Sequence, residues 1–256
     1  MRFIKRVMLL LIIILVLAFL SIYWNEINNL ITGKVVDDTS NGYQYEEAVL
    51  TRVVDGDTIK VNINETEETI RLLGINTPEK GKAFSNEAKN FLKQFENENI
   101  KLLRDKEDID RYKRKLRYVL YNDRLLNVEI LENGYATSFM LDELKFKDKF
   151  VSAEKYAKDN EKTLWKKSKD VCSDCIELIE LNPEEDYFII ENSCNHDCSL
   201  INWSVKDDAN HFFNIESLKA KHSKTYKSDK EVWNDDKDRF FLRDNKGELV
   251  VFYEYS

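Results

Sequence analysis

One stretch limits what this chain can fold into more than any other. It is Leu50 to Glu79, LTRVVDGDTIKVNINETEETIRLLGINTPE. Val53, Val54, Ile59, Val61 and Ile63 are β-formers. Asp55-Gly56-Asp57 interrupts the first run, and Gly74 and Pro78 close the last. The pattern predicts a meander of short strands with its polar residues at the strand ends. Asp55 and Asp57 flank a glycine, Arg71 begins an apolar run, and Asn76, Thr77 and Glu79 follow it. Oxygen ligands and a guanidinium gathered at the ends of a small meander suit a hard cation such as Ca²⁺ beside a phosphate. Two blander readings compete. The aspartates can cap a tight turn, and Arg71 and Glu79 can form an ion pair without chemistry.

The rest of the chain suggests a division into parts. A length of 256 residues predicts two domains. Arg2, Lys5 and Arg6 precede an uncharged apolar run from Val7 to Asn25. That is about one bilayer thickness of helix, with its positive flank on the cytoplasmic side and Tyr23-Trp24 at the far interface. We expect an uncleaved single-pass anchor at residues 1–25, with a cleaved signal peptide as the alternative. A polar linker at 26–45 would lift the bulk of the chain off the extracytoplasmic face of the cell membrane.

Residues 46–167 read as an α+β domain. A helix is expected at Ser85–Asn97 and strands at Ile100–Leu103 and Leu116–Tyr121. A short helix at Val128–Asn133 ends at Gly134, and Phe150, Ala153, Ala157 and Leu164 share one face of a last helix. Strands and helices of this size resemble a five-stranded OB-fold barrel with packed helices. Residues 168–256 read as short strands and turns, an all-β sandwich. Asp244-Asn245-Lys246-Gly247 marks a hairpin, and Trp203 is a core residue.

The net charge of −8 does not exclude a nucleic-acid partner, because the acidity is uneven. Residues 45–167 carry 24 Lys+Arg and 24 Asp+Glu, whereas 168–256 carry 11 and 20. Arg111, Lys113, Arg114, Lys115 and Arg117 form a local basic run in the neutral part. Such a run can bind phosphate, or it can be the solvated edge of a strand.

The segments VVDGDTIKV and IRLLGINTPE, followed by DRYKRKLRYVLYNDRLLNVEILENGYA, resemble the thermonuclease (micrococcal or staphylococcal nuclease) family. The resemblance covers about half the chain and implies the OB-fold. It implies a Ca²⁺-dependent hydrolase that cuts phosphodiester bonds of DNA, RNA or both. Asp57, Asn76 and the carbonyl of Thr77 would ligate Ca²⁺. Arg71 and Arg114 would clamp the phosphate, and Glu79 would orient or deprotonate water; Tyr112 would donate to a phosphate oxygen or simply pack, and Arg111 and Lys113 of the basic run are further substrate-binding candidates. Three positions depart from the family pattern. Asn76 stands where an aspartate is common, and Lys113 where glycine is usual. Ser138-Phe139-Met140-Leu141 stands where base-stacking tyrosines are found. Within 168–256, YFIIENSCNHDCSLINWSVKDDANHFF and DRFFLRDNKGELV resemble a lamin-tail domain, an immunoglobulin-like sandwich with a partner of its own.

Cys172, Cys175, Cys194 and Cys198 are spaced C-x2-C and C-x3-C. That spacing suits a four-cysteine Zn²⁺ site, with His196 as a substitute ligand. Outside the membrane, two disulfides crossing between the pairs are the competing reading. The leading function is therefore a membrane-anchored, outward-facing, Ca²⁺-dependent nuclease. A non-catalytic nucleic-acid- or protein-binding module is the alternative, and a surface adhesion protein is a third reading.

Overall fold

The computed structural model describes residues 44–139 and 144–256. The anticipated membrane anchor at 1–25 lies outside them, as does nearly all of the linker. Among the described residues no helix is long and apolar enough to cross a membrane.

The first half is built from β1 (Tyr45–Val53), β2 (Thr58–Ile63), β3 (Thr66–Leu72), β5 (Asn99–Leu103) and β6 (Lys115–Tyr121). Adjacent strands pair antiparallel in the order β3-β2-β1-β5-β6. A parallel pairing of β3 with β6, Arg71 opposite Leu116, closes the sheet into a five-stranded barrel. Closure removes the exposed edges that an open sheet would leave. The alternating apolar residues of the opening meander, Ile59, Val61, Ile70 and Leu72, fill its interior and are fully buried. Two-residue strands β4 (Ile75–Asn76) and β8 (Thr137–Ser138) form a separate antiparallel pair, and β7 (Arg124–Leu125) pairs antiparallel with the end of β6.

Three helices pack on the barrel: α1 (Ser85–Lys93), α2 (Leu126–Glu132) and α3 (Lys147–Asp159). Helix α1 is shorter than its apolar spacing predicts. The chain turns after Lys93, and Asn97 takes a left-handed φ of 68°. The last helix also stops early, at Asp159, because Glu161 and Thr163 both adopt positive φ. Leu164 is still buried, but from a one-turn 3-10 helix, Thr163–Trp165.

The second half contains two antiparallel sheets, as the strand pattern predicts. One is β13-β10-β9 and the other β12-β11-β14-β15. Their ranges are β9 Ile176–Asn182, β10 Tyr187–Asn192, β11 Ser204–Lys206, β12 Phe212–Asn214, β13 Ser223–Lys227, β14 Asp238–Arg243 and β15 Leu249–Tyr255. Phe188, Ile190, Trp203, Val205, Phe240 and Leu242 are fully or almost fully buried between the sheets. Strand β13 has no sequence signal, because SKTYK is an edge strand that contributes one half-buried aromatic.

The zinc expectation is corrected here. Cys172 is bonded to Cys198 and Cys175 to Cys194, so all four sulfurs are consumed in disulfides that cross between the pairs. Each bridge closes a loop of moderate length (separations 26 and 19) and stabilises the small sandwich by about 3 kcal/mol in the chain-entropy account.

Strand β14 joins the two halves. All six of its residues are buried. Phe240 and Leu242 point into the sandwich core, whereas Phe241 packs with Ala157, Leu164 and Trp165 of the first half. The period of two in a strand therefore gives β14 one face for its own core and one for the seam.

Candidate active site

The DGD turn between β1 and β2 places Asp57 at the mouth of the barrel. Gly56 fits there because it has no side chain: a Cβ would lie 2.5 Å from that of Ala88 and 2.9 Å from that of Thr77. Asp57 is nearly buried, and its carboxylate organises the turn around it. Oδ2 accepts from the backbone N–H of Thr77 at 3.0 Å and from its hydroxyl at 2.9 Å. Oδ1 accepts from the Thr58 hydroxyl at 3.0 Å. Arg71 Nη2 lies 3.3 Å from Oδ2. Asp55 stands beside it, its carboxyl pushed up by burial and then by the Asp57 charge.

Two guanidiniums converge on this turn. Arg71 comes from the end of β3 and is braced by Nη1 donating to the Leu72 carbonyl at 2.6 Å. Arg114 immediately precedes β6. Its Nε donates to Asp110 Oδ2 at 2.7 Å, its backbone N–H donates to Asp110 Oδ1 at 2.9 Å, and Nη1 reaches the Thr58 hydroxyl at 3.3 Å. Although burial pushes the Asp110 carboxyl up, these bonds hold it below the usual carboxylate range. The closed β3–β6 pairing brings the two arginines to one end of the barrel. Both keep part of their surface open to solvent.

The basic run divides into two groups. Arg117 is buried and paired with Glu46 and Asp108, each at 2.7 Å, and Lys115 reaches Glu68 at 3.1 Å. These two belong to the barrel wall. Arg111, Tyr112 and Lys113 are exposed beside Arg114, and the Tyr112 ring lies under the Arg111 and Arg114 guanidiniums at 4.9 and 5.3 Å. Glu79 is exposed on the loop after Pro78, and among the described residues its carboxylate has no hydrogen bond or ion pair. Phe139 directly follows β8, and its backbone N–H donates to the Gly74 carbonyl at 2.9 Å.

Asn76 is placed differently from its neighbours. Thr77 faces Asp57, and Asn76, one residue earlier in extended chain, turns to the other side. Its Nδ2 donates to the Asp208 carbonyl at 2.9 Å, and its Oδ1 accepts from Asn210 Nδ2 at 3.3 Å. Of the three anticipated calcium donors, the structure brings Asp57 and Thr77 together and commits the Asn76 amide to Asp208 and Asn210 of the second half.

Two residues of this cluster carried no separate weight in the sequence. Asp110 was legible as the acid four residues before Arg114. Thr58 bridges the Arg114 and Asp57 ends of the site, and only the fold reveals that.

The sequence model of the Staphylococcal nuclease homologue family matches residues 69–167. The chain is 31% identical over 140 residues to the thermonuclease of Staphylococcus intermedius, covering 50% of this chain and 82% of that protein. It is 32% identical over 122 residues to the thermonuclease of Staphylococcus hyicus, covering 44% and 72%. It is 30% identical over 154 residues to the endonuclease YncB of Bacillus subtilis, covering 56% and 73%.

Proposed function

Because the chain belongs to the staphylococcal nuclease family, we propose that it is a membrane-anchored, outward-facing, Ca²⁺-dependent phosphodiesterase acting on DNA, RNA or both. One observation carries the reading of the site: Arg71 and Arg114 approach the same aspartate-threonine turn, each braced from behind and each with N–H groups left over. A guanidinium can donate to two phosphate oxygens at once in a fixed fork, which a lysine cannot do. Two of them at one barrel end hold a scissile phosphate and neutralise the charge that grows on its oxygens.

The donor types suit a hard cation: the Asp57 carboxylate, the carbonyl of Thr77, and Asp55 close by. Ca²⁺ bound there would polarise the phosphorus–oxygen bonds. The chain's own residues do the rest. Arg71 and Arg114 orient the phosphate. Glu79, free of partners among the described residues, takes the proton of the attacking water. The water oxygen bonds to phosphorus, one ester P–O bond breaks, and the departing oxygen is protonated from solvent. Arg111, Lys113 and Tyr112 extend a basic, aromatic rim along the strand.

The outward orientation is supported by the two disulfides, which persist in oxidising compartments. It is supported too by the basic flank and apolar run of residues 1–25. The two-sheet architecture of 168–256 is consistent with the lamin-tail resemblance.

The test is degradation of DNA or RNA added outside intact expressing cells, with Ca²⁺ and with chelator. Degradation should require Ca²⁺, and Arg114→Lys should lower kcat by about 10²-fold, the scale of losing one positioned donor to the transition state. Activity seen only after lysis would defeat the outward orientation. Binding without cleavage would leave a non-catalytic module.

A further inference from the structure

Between the barrel and the sandwich lies a cleft of about 320 Å³. One wall is the loop Asn76 to Phe84 and the other is the β11–β12 hairpin, with Arg243 and the Asp244–Gly247 turn closing one end. Thr77 thus separates two spaces. Its N–H and hydroxyl serve Asp57, and it also lines this cleft. The β14–β15 turn comes very close to the loop. Gly247 has φ of +81°, and a Cβ there would lie 2.3 Å from that of Ala83.

Two cations line the cleft, and among the described residues neither forms an ion pair; Asp244 acts on Arg243, and Asp208 and Asp207 on Lys206, only through space. Arg243 is buried, and its Nη1 donates to the carbonyls of Leu164 and Gly247. Its Nη2 is shut off from solvent with no acceptor. The neighbouring acid, Asp244, is spent on its own turn: it accepts from the N–H groups of Lys246 and Glu248 and from the Ser168 hydroxyl. Lys206 has two neutral side-chain partners, Asn210 Oδ1 at 2.9 Å and the face of the Phe241 ring at 4.9 Å. The acids beside it are held elsewhere, Asp207 by His211 and Asp208 by Arg239. Burial, and then the Arg243 charge, push the Lys206 ammonium down to about 8; burial pushes Arg243 down to about 10. At the rim, exposed Lys82 stands 4.3 Å over the face of Phe212.

We propose that this cleft is a second phosphate-binding subsite, in which Arg243 and Lys206 receive a phosphate of the nucleic-acid strand that the adjacent loop presents to the active site. The proposal rests on the nuclease reading for the identity of the strand. A buried guanidinium with no carboxylate bonded to it is costly in a low-dielectric site, and an anion entering the cleft supplies the direct partner that Asp244, felt by Arg243 only through space, does not. The volume admits a nucleotide-sized group. Lys82 and the Phe212 face supply the cation and the aromatic surface that single strands use. The acidity of residues 168–256 does not oppose this, because the cleft itself gathers Arg243, Lys206 and Lys82.

The test measures binding of a short single-stranded oligodeoxynucleotide to the whole protein in chelator, where no hydrolysis occurs. Two variants are compared with wild type. Ser204 lies directly opposite Arg243 in the β11–β14 register, so Ser204→Asp gives Arg243 a carboxylate across the strands. Lys206→Met removes the second charge, leaves the Asn210 bond unmade and keeps an apolar side chain against the Phe241 ring. Each variant should weaken binding about ten-fold, the loss of one hydrogen bond to a charged group. Each should also flatten the log–log salt dependence by about 0.7 for every phosphate that is no longer neutralised. Wild-type affinity and salt slope in both variants would overturn the subsite. Inorganic phosphate is the second arm and should compete with the oligonucleotide in wild type. If it raises the melting temperature of wild type while both variants bind the oligonucleotide normally, the cleft takes free phosphate, and the strand assignment is overturned. Cleft-dependent binding without cleavage would count against the hydrolase reading alone. Normal cleavage with cleft-independent binding would count against the subsite alone.

Discussion

The barrel mouth and the domain seam are both built from arginines and carboxylates, yet they use them in opposite ways. At the mouth, Arg71 and Arg114 each have one acidic neighbour, remain partly exposed and keep N–H groups unused. At the seam, Arg239 is saturated. Its Nε meets both oxygens of Asp208 at 2.7 and 2.8 Å, its Nη1 meets both oxygens of Glu154 at 2.8 and 3.0 Å, and its Nη2 donates to the Ser138 carbonyl. Glu154 is equally occupied by the N–H and hydroxyl of Ser138. Burial pushes the Glu154 carboxyl up, but the Arg239 and Lys158 charges outweigh it and hold the group below its usual range. A fully bonded guanidinium holds the two halves of the molecule together, whereas a half-bonded one is ready for a ligand. Arg243, on the same face of the same strand, is buried like the first kind and unsatisfied like the second.

The largest effect should come from exchanging a single arginine in each region for methionine. Arg239→Met leaves Glu154 and Asp208 buried without their partner. It should lower stability by about 3–5 kcal/mol in chemical denaturation. Arg71→Met should cost less, about 1–2 kcal/mol, because Asp57 keeps its hydrogen bonds from Thr77 and Thr58 when the arginine is gone, and should abolish most cleavage. Equal stability losses in the two variants would erase the distinction between a holding and a binding arginine.

A smaller effect is expected at Asn76, where the two regions meet. The Asp208 carbonyl needs a donor, and the Asn76 amide provides it. Asn76→Asp removes that donor and sets a carboxylate against a carbonyl oxygen. We expect a loss of about 1–3 kcal/mol, the cost of stranding a polar group at a buried contact, with little change in the Ca²⁺ midpoint for cleavage. If the substitution instead tightens the Ca²⁺ midpoint and leaves stability unchanged, the side chain serves the metal rather than the seam.

The two regions also differ in how far the sequence discloses them. Much of the barrel mouth was legible because its parts are local. A DGD turn, an arginine at a strand end and Thr77-Pro78-Glu79 fall within one short stretch, and Arg114 comes from a later basic run. The strand pattern likewise foretold a barrel and then two sheets. The seam was hidden because its partners are far apart in the chain: Arg239 and Glu154 lie 85 positions apart, and Asn76 and Asp208 lie 132 apart. Nothing in the spacing of DRFFLR tells which arginine is neutralised. The cysteines were legible as a framework but not as to chemistry, because one spacing serves thiolates around zinc and sulfurs in crossed disulfides alike.

The smallest predicted effect concerns Lys113, the one residue of the basic rim whose backbone is constrained. Its φ is +64°, in the left-handed region, and its N–H closes a turn onto the Asp110 carbonyl at 2.9 Å. A residue with a Cβ pays about 1–2 kcal/mol to sit there, and glycine avoids that cost but loses about 0.5–1 kcal/mol of its greater freedom in the unfolded chain. Lys113→Gly should therefore raise stability by about 0.5–1 kcal/mol. The same change removes one exposed charge beside Arg114, so KM should rise and the salt dependence of kcat/KM should flatten. The kcat should hold, because Asp110 still fixes Arg114 through its Nε and its backbone N–H. Steady-state kinetics and a melting curve on the one variant separate these effects. A fall in kcat would mean that the lysine sets the turn that aims Arg114, and that the barrel mouth, like the seam, depends on a rigid support around its arginine.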